Sequence, residues 1–245
     1  MSKVLLVTGG SRGIGAEVCS LAAAQGWRVA VNYRNDEVAA TGVVAGIKEA
    51  GGEAVAIKAN VAVADDVVRL FAETEKALGP VDGLVNCAGI LRRSSAFVDI
   101  SDERWAEMIG TNLMGTVLCA REAARSMLNR GGGVIVNLSS MASVFGAAGE
   151  AVDYAASKGA VDVLTIGLSR EFAKFGIRVN AVRPGVIDTE MQTSSGDGQR
   201  AAKLAPSVPM QRAGRAAEVA EAIIWLLSDK ASYVAGAILA VSGGR

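Results

Sequence analysis

The feature that most constrains this chain is an alternation. Short β-branched runs recur at Val4–Thr8, Arg28–Asn32, Ala54–Ala59, Gly83–Asn86, Val134–Leu138, Arg178–Val182 and Ile238–Val241. Most are apolar throughout instead of alternating with polar residues, which suits strands buried on both faces of a parallel sheet. Helical periodicities lie between them: Ile14, Val18 and Leu21 share one face, as do Val67, Phe71 and Leu78, and Val219, Ile223 and Leu226. Strand–helix alternation of this kind predicts a single α/β Rossmann-type domain spanning residues 1–245, a doubly wound seven-stranded parallel sheet flanked by helices.

Nothing divides the chain: there is no Pro- or Ser-rich linker and no repeat with solenoid spacing. The irregular stretch Glu190–Gln211 contains Ser194-Ser195-Gly196-Asp197-Gly198 and two prolines. It follows a strand's carboxyl end, so a lid over a substrate is the expected role, with a surface insertion as the alternative.

Charge and composition exclude several functions. The chain carries 25 Lys plus Arg and 25 Asp plus Glu, for a formal net charge of zero. That argues against nucleic-acid and anionic-membrane partners, which need a surplus of cations. Arg121, Arg125 and Arg130 read as a solvated or subunit-facing helix surface. Histidine is absent, which removes Ser-His-Asp and Cys-His catalysis and the commonest metal ligand; no metal is expected. Cys19, Cys87 and Cys119 form no CxxC pair and read as buried reduced thiols. With no signal-like or membrane-spanning segment, the expectation is a soluble cytoplasmic protein.

The first strand runs into Thr8-Gly9-Gly10-Ser11-Arg12-Gly13-Ile14-Gly15, which opens the first helix. Glycines at such a junction let the backbone turn sharply beside a pyrophosphate, and the helix N-terminus binds the anion. Gly9, Ser11, Arg12, Gly13, Ile14 and Gly15 are therefore expected cofactor contacts. The second strand ends Val31-Asn32-Tyr33-Arg34-Asn35, with no carboxylate to bond a ribose 2′-hydroxyl; Asp36 is expected at the next helix start. Arg12 and Arg34 can flank a 2′-phosphate, with Arg34 as an exposed loop arginine the alternative. The expected cofactor is NADP, with Asn32, Tyr33 and Arg34 near its adenosine.

Further motifs are Asn86-Cys87-Ala88-Gly89, Tyr154-Ala155-Ala156-Ser157-Lys158 and Pro184-Gly185. Together with the glycine-rich turn they make the whole chain resemble the classical short-chain dehydrogenase/reductase family. They correspond to its Asn-Asn-Ala-Gly motif (with Cys87 for the second Asn), its YxxxK signature and its motif after the sixth strand. The chain is most similar to the 3-oxoacyl-reductase-like and glucose-dehydrogenase-like branches, whose substrates are diverse. The resemblance implies a catalytic set of Asn112, Ser140, Tyr154 and Lys158. Asn112 would kink a helix and hold a water linking Lys158 to solvent. Ser140 would orient the carbonyl, with Ser139 as the competing register. It further implies that Asn60 and Val61 frame the adenine, that Asn86, Ala88 and Gly89 line the central cofactor region, and that Lys158 holds the nicotinamide ribose. Pro184, Gly185, Ile187 and Thr189 would hold the carboxamide. A homotetramer is implied through Asp102–Asn129, Val152–Lys174 and Ala216–Val241; Val161, Leu164 and Leu168 in the second form an apolar stripe that one sheet cannot easily cover, with wholly internal packing the alternative.

The chemistry also follows from the residues. Tyr154 and Lys158 stand four apart on a helix and share a face. A phenol titrates near pH 10, and an adjacent ammonium and an oxidised nicotinamide are expected to lower that. Tyr154 then donates a proton to a carbonyl oxygen, or accepts one from an alcohol. The expected partner is a small-molecule carbonyl or alcohol. Met141, Val144 and Phe145 are expected to shape its pocket; Arg92 and Arg93 either attract an anion or form a surface pair. The alternatives, a non-catalytic NADP(H)-binding regulator or a structural protein, sit poorly with a complete catalytic set and a glycine-rich turn.

Overall fold

All seven apolar runs pair into one sheet in the computed structural model, which describes residues 2–191 and 197–245. The strands are β1 (Val4–Thr8), β2 (Arg28–Tyr33), β3 (Ala54–Lys58), β4 (Gly83–Asn86), β5 (Gly133–Leu138), β6 (Ile177–Pro184), β7 (Ile187–Asp188), β8 (Gly214–Arg215) and β9 (Ile238–Val241). The main sheet has the order β3-β2-β1-β4-β5-β6-β9, and every pairing in it is parallel. β7 and β8 form a separate short ladder that ties the segment after β6 to the last helix, Ala216–Leu227.

The helices are α1 (Gly13–Ala24), α2 (Glu37–Glu49), α3 (Ala64–Leu78), α4 (Asp102–Met108), α5 (Gly115–Leu128), α6 (Ala142–Phe145) and α7 (Val152–Phe172). Because side chains alternate across a strand, neighbouring residues feed two different layers. Leu5, Val7, Val29, Val31 and Val136 pack with α1, α2 and the last helix, burying Val18, Val219 and Ile223. Val4 and Leu6, with Ile57, Ile135 and Val179, point to the other face; they pack with α3 and α5, burying Val67, Phe71 and Leu78. Asp36 starts α2 as expected, its carboxylate accepting from Ala39 N at 3.0 Å.

The strand order reverses between β1 and β4, which grow in opposite directions from the middle of the sheet. In open α/β sheets the crevice at that point, outside the carboxyl ends, receives ligands. Polar residues mark this edge in register: Thr8 pairs with Asn86, and Asn86 with Asn137. Asn86 Nδ2 donates to Asn137 Oδ1 at 2.9 Å, Asn137 Nδ2 to Thr165 Oγ1 at 2.9 Å, and Thr165 Oγ1 to the Val161 carbonyl at 2.8 Å. This buried chain of bonds fixes the rotation of α7 against β5, since a buried polar atom left unpaired costs about 1–3 kcal/mol.

One sequence expectation changes here. Val161 is fully buried and Leu168 packs against the core, so the stripe Val161, Leu164, Leu168 is not a free face of α7. Helical periodicity identifies a stripe but not what covers it. The outward side instead carries Ala156, Val163 and Gly167. Of the Glu190–Gln211 stretch, the part containing Ser194, Ser195 and Gly196 lies outside the described residues. The remainder includes a short helix, Arg200–Leu204.

Candidate active site

The loops leaving β1, β4, β5 and β6 enclose a cavity of about 910 Å³. Its end at the glycine-rich turn is built by backbone shape. Gly9 adopts φ +62°, and a Cβ there would fall 2.9 Å from Ala88 Cα; a Cβ at Gly15 would fall 2.2 Å from the Gly9 carbonyl oxygen. Both positions therefore require glycine. Gly9, Ser11, Arg12, Gly13 and Ile14 line the cavity, whereas Gly15 packs behind the turn. No side chain caps the N-terminus of α1 and no acid occupies its first turn, so its leading N–H groups have no side-chain acceptor; the Glu190 carboxylate lies nearby, 3.6 Å from where a Gly13 Cβ would stand.

Thr8 locks the neighbouring loop. Its hydroxyl accepts from Cys87 N at 3.0 Å and Ala88 N at 3.1 Å, and donates to the Val85 carbonyl at 3.4 Å. Ala88 and Gly89 consequently face the cavity. Asn86 does not; it is buried in the strand-edge network described above. Cys87 lines the cavity instead of being buried with Cys19 and Cys119, and desolvation pushes its thiol up to about 11.

At the end of β2, Arg34 lines the cavity and is exposed. Neither Arg12 nor Arg34 has an ion-pair partner among the described residues. Tyr33 belongs to the core and does not reach the cavity. Asn32 borders it, but its amide is committed to the backbone: Oδ1 accepts from Gly9 N at 3.3 Å, and Nδ2 donates to the Ala59 carbonyl at 3.1 Å. Asn60 and Val61 line the cavity beside β3, and Asn60 Oδ1 is occupied by Ala62 N at 3.2 Å.

Asn112 sits in a π-helical turn, Ile109–Met114, that joins α4 to α5. The expected helix distortion is thus present, and such turns recur at functional sites. Its side chain is wholly buried and clamps the backbone of one residue: Oδ1 accepts from Ile90 N at 2.8 Å while Nδ2 donates to the Ile90 carbonyl at 3.0 Å. Nδ2 also reaches Ser157 Oγ at 3.2 Å. Asn112 does not line the cavity. It holds the chain beside Gly89, where a Cβ would stand 3.4 Å from Asn112 Oδ1 and 3.6 Å from Lys158 Nζ.

α7 presents Tyr154 and Lys158 to the cavity together. Lys158 is buried, donates to the Leu138 carbonyl at 2.7 Å, and stands 5.8 Å from the centre of the Tyr154 ring. Desolvation lowers its ammonium to about 8, against the opposing influence of Cys87 and Asp162. Tyr154 runs against the sequence expectation: burial pushes its phenol up, while a hydrogen bond with Ser140 pulls it back. The spacing of Tyr154 and Lys158 reveals the nearby charge but not the desolvation of the phenol, which depends on the whole enclosure. Ser140 is the serine that meets Tyr154, and its Oγ accepts from Ala142 N at 3.1 Å. Ser139 Oγ instead donates to the Lys158 carbonyl at 3.3 Å.

Pro184, Gly185, Ile187 and Thr189 complete the wall together with Met141 and Phe145, Met141 N donating to the Pro184 carbonyl at 3.0 Å; Val144 is not part of it. Arg92 lines the cavity and is ion-paired with Glu107, while the Arg93 carbonyl accepts from Arg104. Sequence reasoning misses three features. Arg104 bonds the fully buried Asp153 through Nε at 2.7 Å and Nη2 at 3.1 Å, tying α4 to the residue before Tyr154. Arg200, which lines the cavity, pairs with Glu150 at 2.6 Å. Arg245 also lines it; a residue following a parallel strand must emerge at the carboxyl edge, and that topological signal is present in the sequence. Among the described residues no acidic or thiol cluster could hold a metal, and no helix is long and apolar enough to cross a membrane.

Comparison with known proteins agrees with this architecture. A family model described as "Enoyl-(Acyl carrier protein) reductase" matches residues 9–245. The chain is 49% identical to "Uncharacterized oxidoreductase YgfF" of Escherichia coli (strain K12), over 99% of both chains. It is 40% identical to "3-oxoacyl-[acyl-carrier-protein] reductase FabG" of Staphylococcus aureus (strain Mu50 / ATCC 700699), covering 100% of this chain and 98% of that protein. Among solved structures, a doubly substituted mutant of a Serratia marcescens short-chain dehydrogenase/reductase matches with a TM-score of 0.92 at 34% identity, over 99% of this chain and 97% of that one.

Lys158 generates a stability prediction. Its amine titrates near pH 8 when folded and near its ordinary 10.5 when unfolded. Between these values the unfolded chain binds more protons, so this group's contribution to stability rises with pH. Wild type should gain on the order of 3 kcal/mol relative to Lys158→Met as pH climbs from 8 to 10.5. Urea unfolding across that window checks this, and a constant difference between the two proteins contradicts it.

Proposed function

From the premise that the chain belongs to the short-chain dehydrogenase/reductase family of oxidoreductases, we propose that it is a cytoplasmic NADP(H)-dependent carbonyl reductase or secondary-alcohol dehydrogenase whose whole chain forms one nucleotide-binding unit. The observation that carries the reading is a single cavity with a glycine-shaped anion site at one end and Ser140, Tyr154 and Lys158 at the other. The names of the 3-oxoacyl reductase relatives support carbonyl chemistry.

The residues fit a dinucleotide. The turn Gly9–Gly13 and the uncapped α1 N-terminus would take the pyrophosphate, and Arg12 and Arg34 the 2′-phosphate. Asn60 and Val61 would border the adenine, Ala88 and Gly89 the middle of the cofactor, and Pro184, Gly185, Ile187 and Thr189 its carboxamide. When bound, the cofactor supplies or accepts hydride. The chain's own residues handle the oxygen. Ser140 and Tyr154 donate hydrogen bonds to the carbonyl oxygen as negative charge builds on it. Tyr154 then gives its proton to that oxygen; in the oxidative direction it takes the proton back. The raised phenol pKa keeps Tyr154 protonated at neutral pH, the form that reduction requires. Lys158, anchored to the Leu138 carbonyl, supplies positive charge beside the phenol and would hold the ribose.

Assembly as a homotetramer belongs to the same reading. It is supported by apolar side chains exposed on the elements concerned: Val163 on α7, Trp225 on the last helix, and Tyr233 and Leu239 at the β9 edge. Light scattering at micromolar concentration should give four times the chain mass; a monomer removes the claim.

Tyr154→Phe keeps the ring and removes the proton donor. With a confirmed carbonyl substrate, turnover should fall by about 10²–10⁴-fold while NADPH binding survives. Wild-type turnover in the variant would refute the role of Tyr154. Cofactor choice is tested separately through kcat/KM for NADPH and NADH at one ionic strength. Wild type should favour NADPH by roughly tenfold or more, as one charge-assisted hydrogen bond provides. Arg34→Asp should reverse or abolish that preference, because it removes a cation and adds a repelling anion. An unchanged ratio would show that no 2′-phosphate is read at Arg34.

A further inference from the structure

The cavity is far more cationic than the chain. Among the described residues its lining includes six cationic side chains and three acidic ones, in a protein whose formal net charge is zero. Arg12, Arg34 and Lys158 are accounted for by the cofactor and the phenol. That leaves Arg92, Arg200 and Arg245. Arg92 is neutralised by Glu107, and Arg200 by Glu150 at 2.6 Å. Arg245 has no carboxylate partner among the described residues; its guanidinium carbon stands 5.5 Å from the centre of the Phe145 ring.

Arg245 is carried by an anchored tail. Gly185 N donates to the Val241 carbonyl at 3.0 Å, Met210 N to the Gly243 carbonyl at 3.1 Å, and Ser242 Oγ to the Arg245 carbonyl at 2.9 Å. Its place follows from the sheet. The glycine-rich turn follows β1, the Ser140 segment follows β5, and Arg245 follows β9, so in strand order Ser140 lies between the turn and Arg245. Arg245 is therefore on the opposite side of the reacting centre from the expected pyrophosphate site. Phe145, which it overlies, is half exposed and sits five residues after Ser140.

Resting on the carbonyl-reduction reading, we propose that Arg245 is a specificity-determining residue that draws small carbonyl compounds bearing a carboxylate, seating the carboxylate against the Arg245–Phe145 pair while the carbonyl meets Ser140 and Tyr154. A planar guanidinium with no acidic side chain paired to it among the described residues can offer a two-point bond to such a group. A cation–π contact with Phe145 orients it without consuming its charge. Asp36, Glu150 and Glu190 also line the cavity and oppose an anion there; the pairing of Glu150 with Arg200 blunts part of that repulsion.

The test compares two matched pairs, 4-formylbenzoate with its methyl ester and 4-oxopentanoate with its methyl ester. Calorimetric titration into protein saturated with NADP⁺ reports binding without turnover; NADPH consumption reports kcat/KM. Wild type should favour each carboxylate over its ester by about three- to tenfold, the range for a partly solvated charge-assisted contact. Arg245→Gln should bring that ratio toward one, Arg245→Lys should restore part of it, and Glu150→Gln should raise it by releasing Arg200. Added salt should erode the preference. Equal treatment of acid and ester by wild type, or a preference that Arg245→Gln leaves intact, overturns the proposal. Calorimetric preference without any NADPH consumption would leave the subsite standing and sink the carbonyl-reduction reading; turnover without preference would do the reverse.

Discussion

A sheet whose strands all run one way places every strand's carboxyl end on one edge, and this chain's site depends on that constraint. The glycine-rich turn, the Cys87–Gly89 loop, the Ser140 segment, Pro184-Gly185 and Arg245 are scattered over more than two hundred residues, yet each leaves a strand of the same parallel sheet. Register then sets their heights. Thr8, Asn86 and Asn137 stand opposite one another at the edge, and their side chains bind the loops and α7 to it. The site is thus a property of sheet register before it is a property of any loop.

Within that frame the Lys158 ammonium is costly to bury. Burial disfavours its charge, and the Leu138 carbonyl at 2.7 Å recovers part of the lost hydration. The same desolvation acts on Tyr154 in the opposite sense, keeping the phenol protonated. One apolar enclosure therefore holds a proton donor beside a weakly held ammonium. Asn112 contributes at one remove: by clamping the Ile90 backbone it keeps Gly89, with no side chain, beside Lys158 Nζ.

The strands and the presentation of Tyr154 and Lys158 on α7 are legible in the sequence because burial on both faces leaves uninterrupted apolar runs and because the two residues sit one turn apart. Strand ends are less so. β6 extends to Ile177 and Pro184 because its outer residues pair with β5 and β9, and pairing partners leave no local trace. Gly15, Tyr33 and Asn86 look like cofactor neighbours by their proximity to motifs. The structure turns each of them inward: Gly15 against Gly9, Tyr33 into the core, Asn86 onto Asn137. Proximity in sequence does not say which side of a strand end faces a crevice. The Arg104–Asp153 pair is hidden for a different reason, since it depends on a contact across 49 positions.

The central claim is that the cavity delivers hydride to a carbonyl carbon and a proton to its oxygen, although the matching family model is described by enoyl reduction. An α,β-unsaturated ketone offers both bonds in one molecule. Reducing it with NADPH deuterated at C4, in separate reactions for each face, and locating the label by mass spectrometry and NMR decides between them. The predicted product is an allylic alcohol with deuterium on the carbinol carbon from one labelled face. A saturated ketone with deuterium on the β-carbon would contradict the claim.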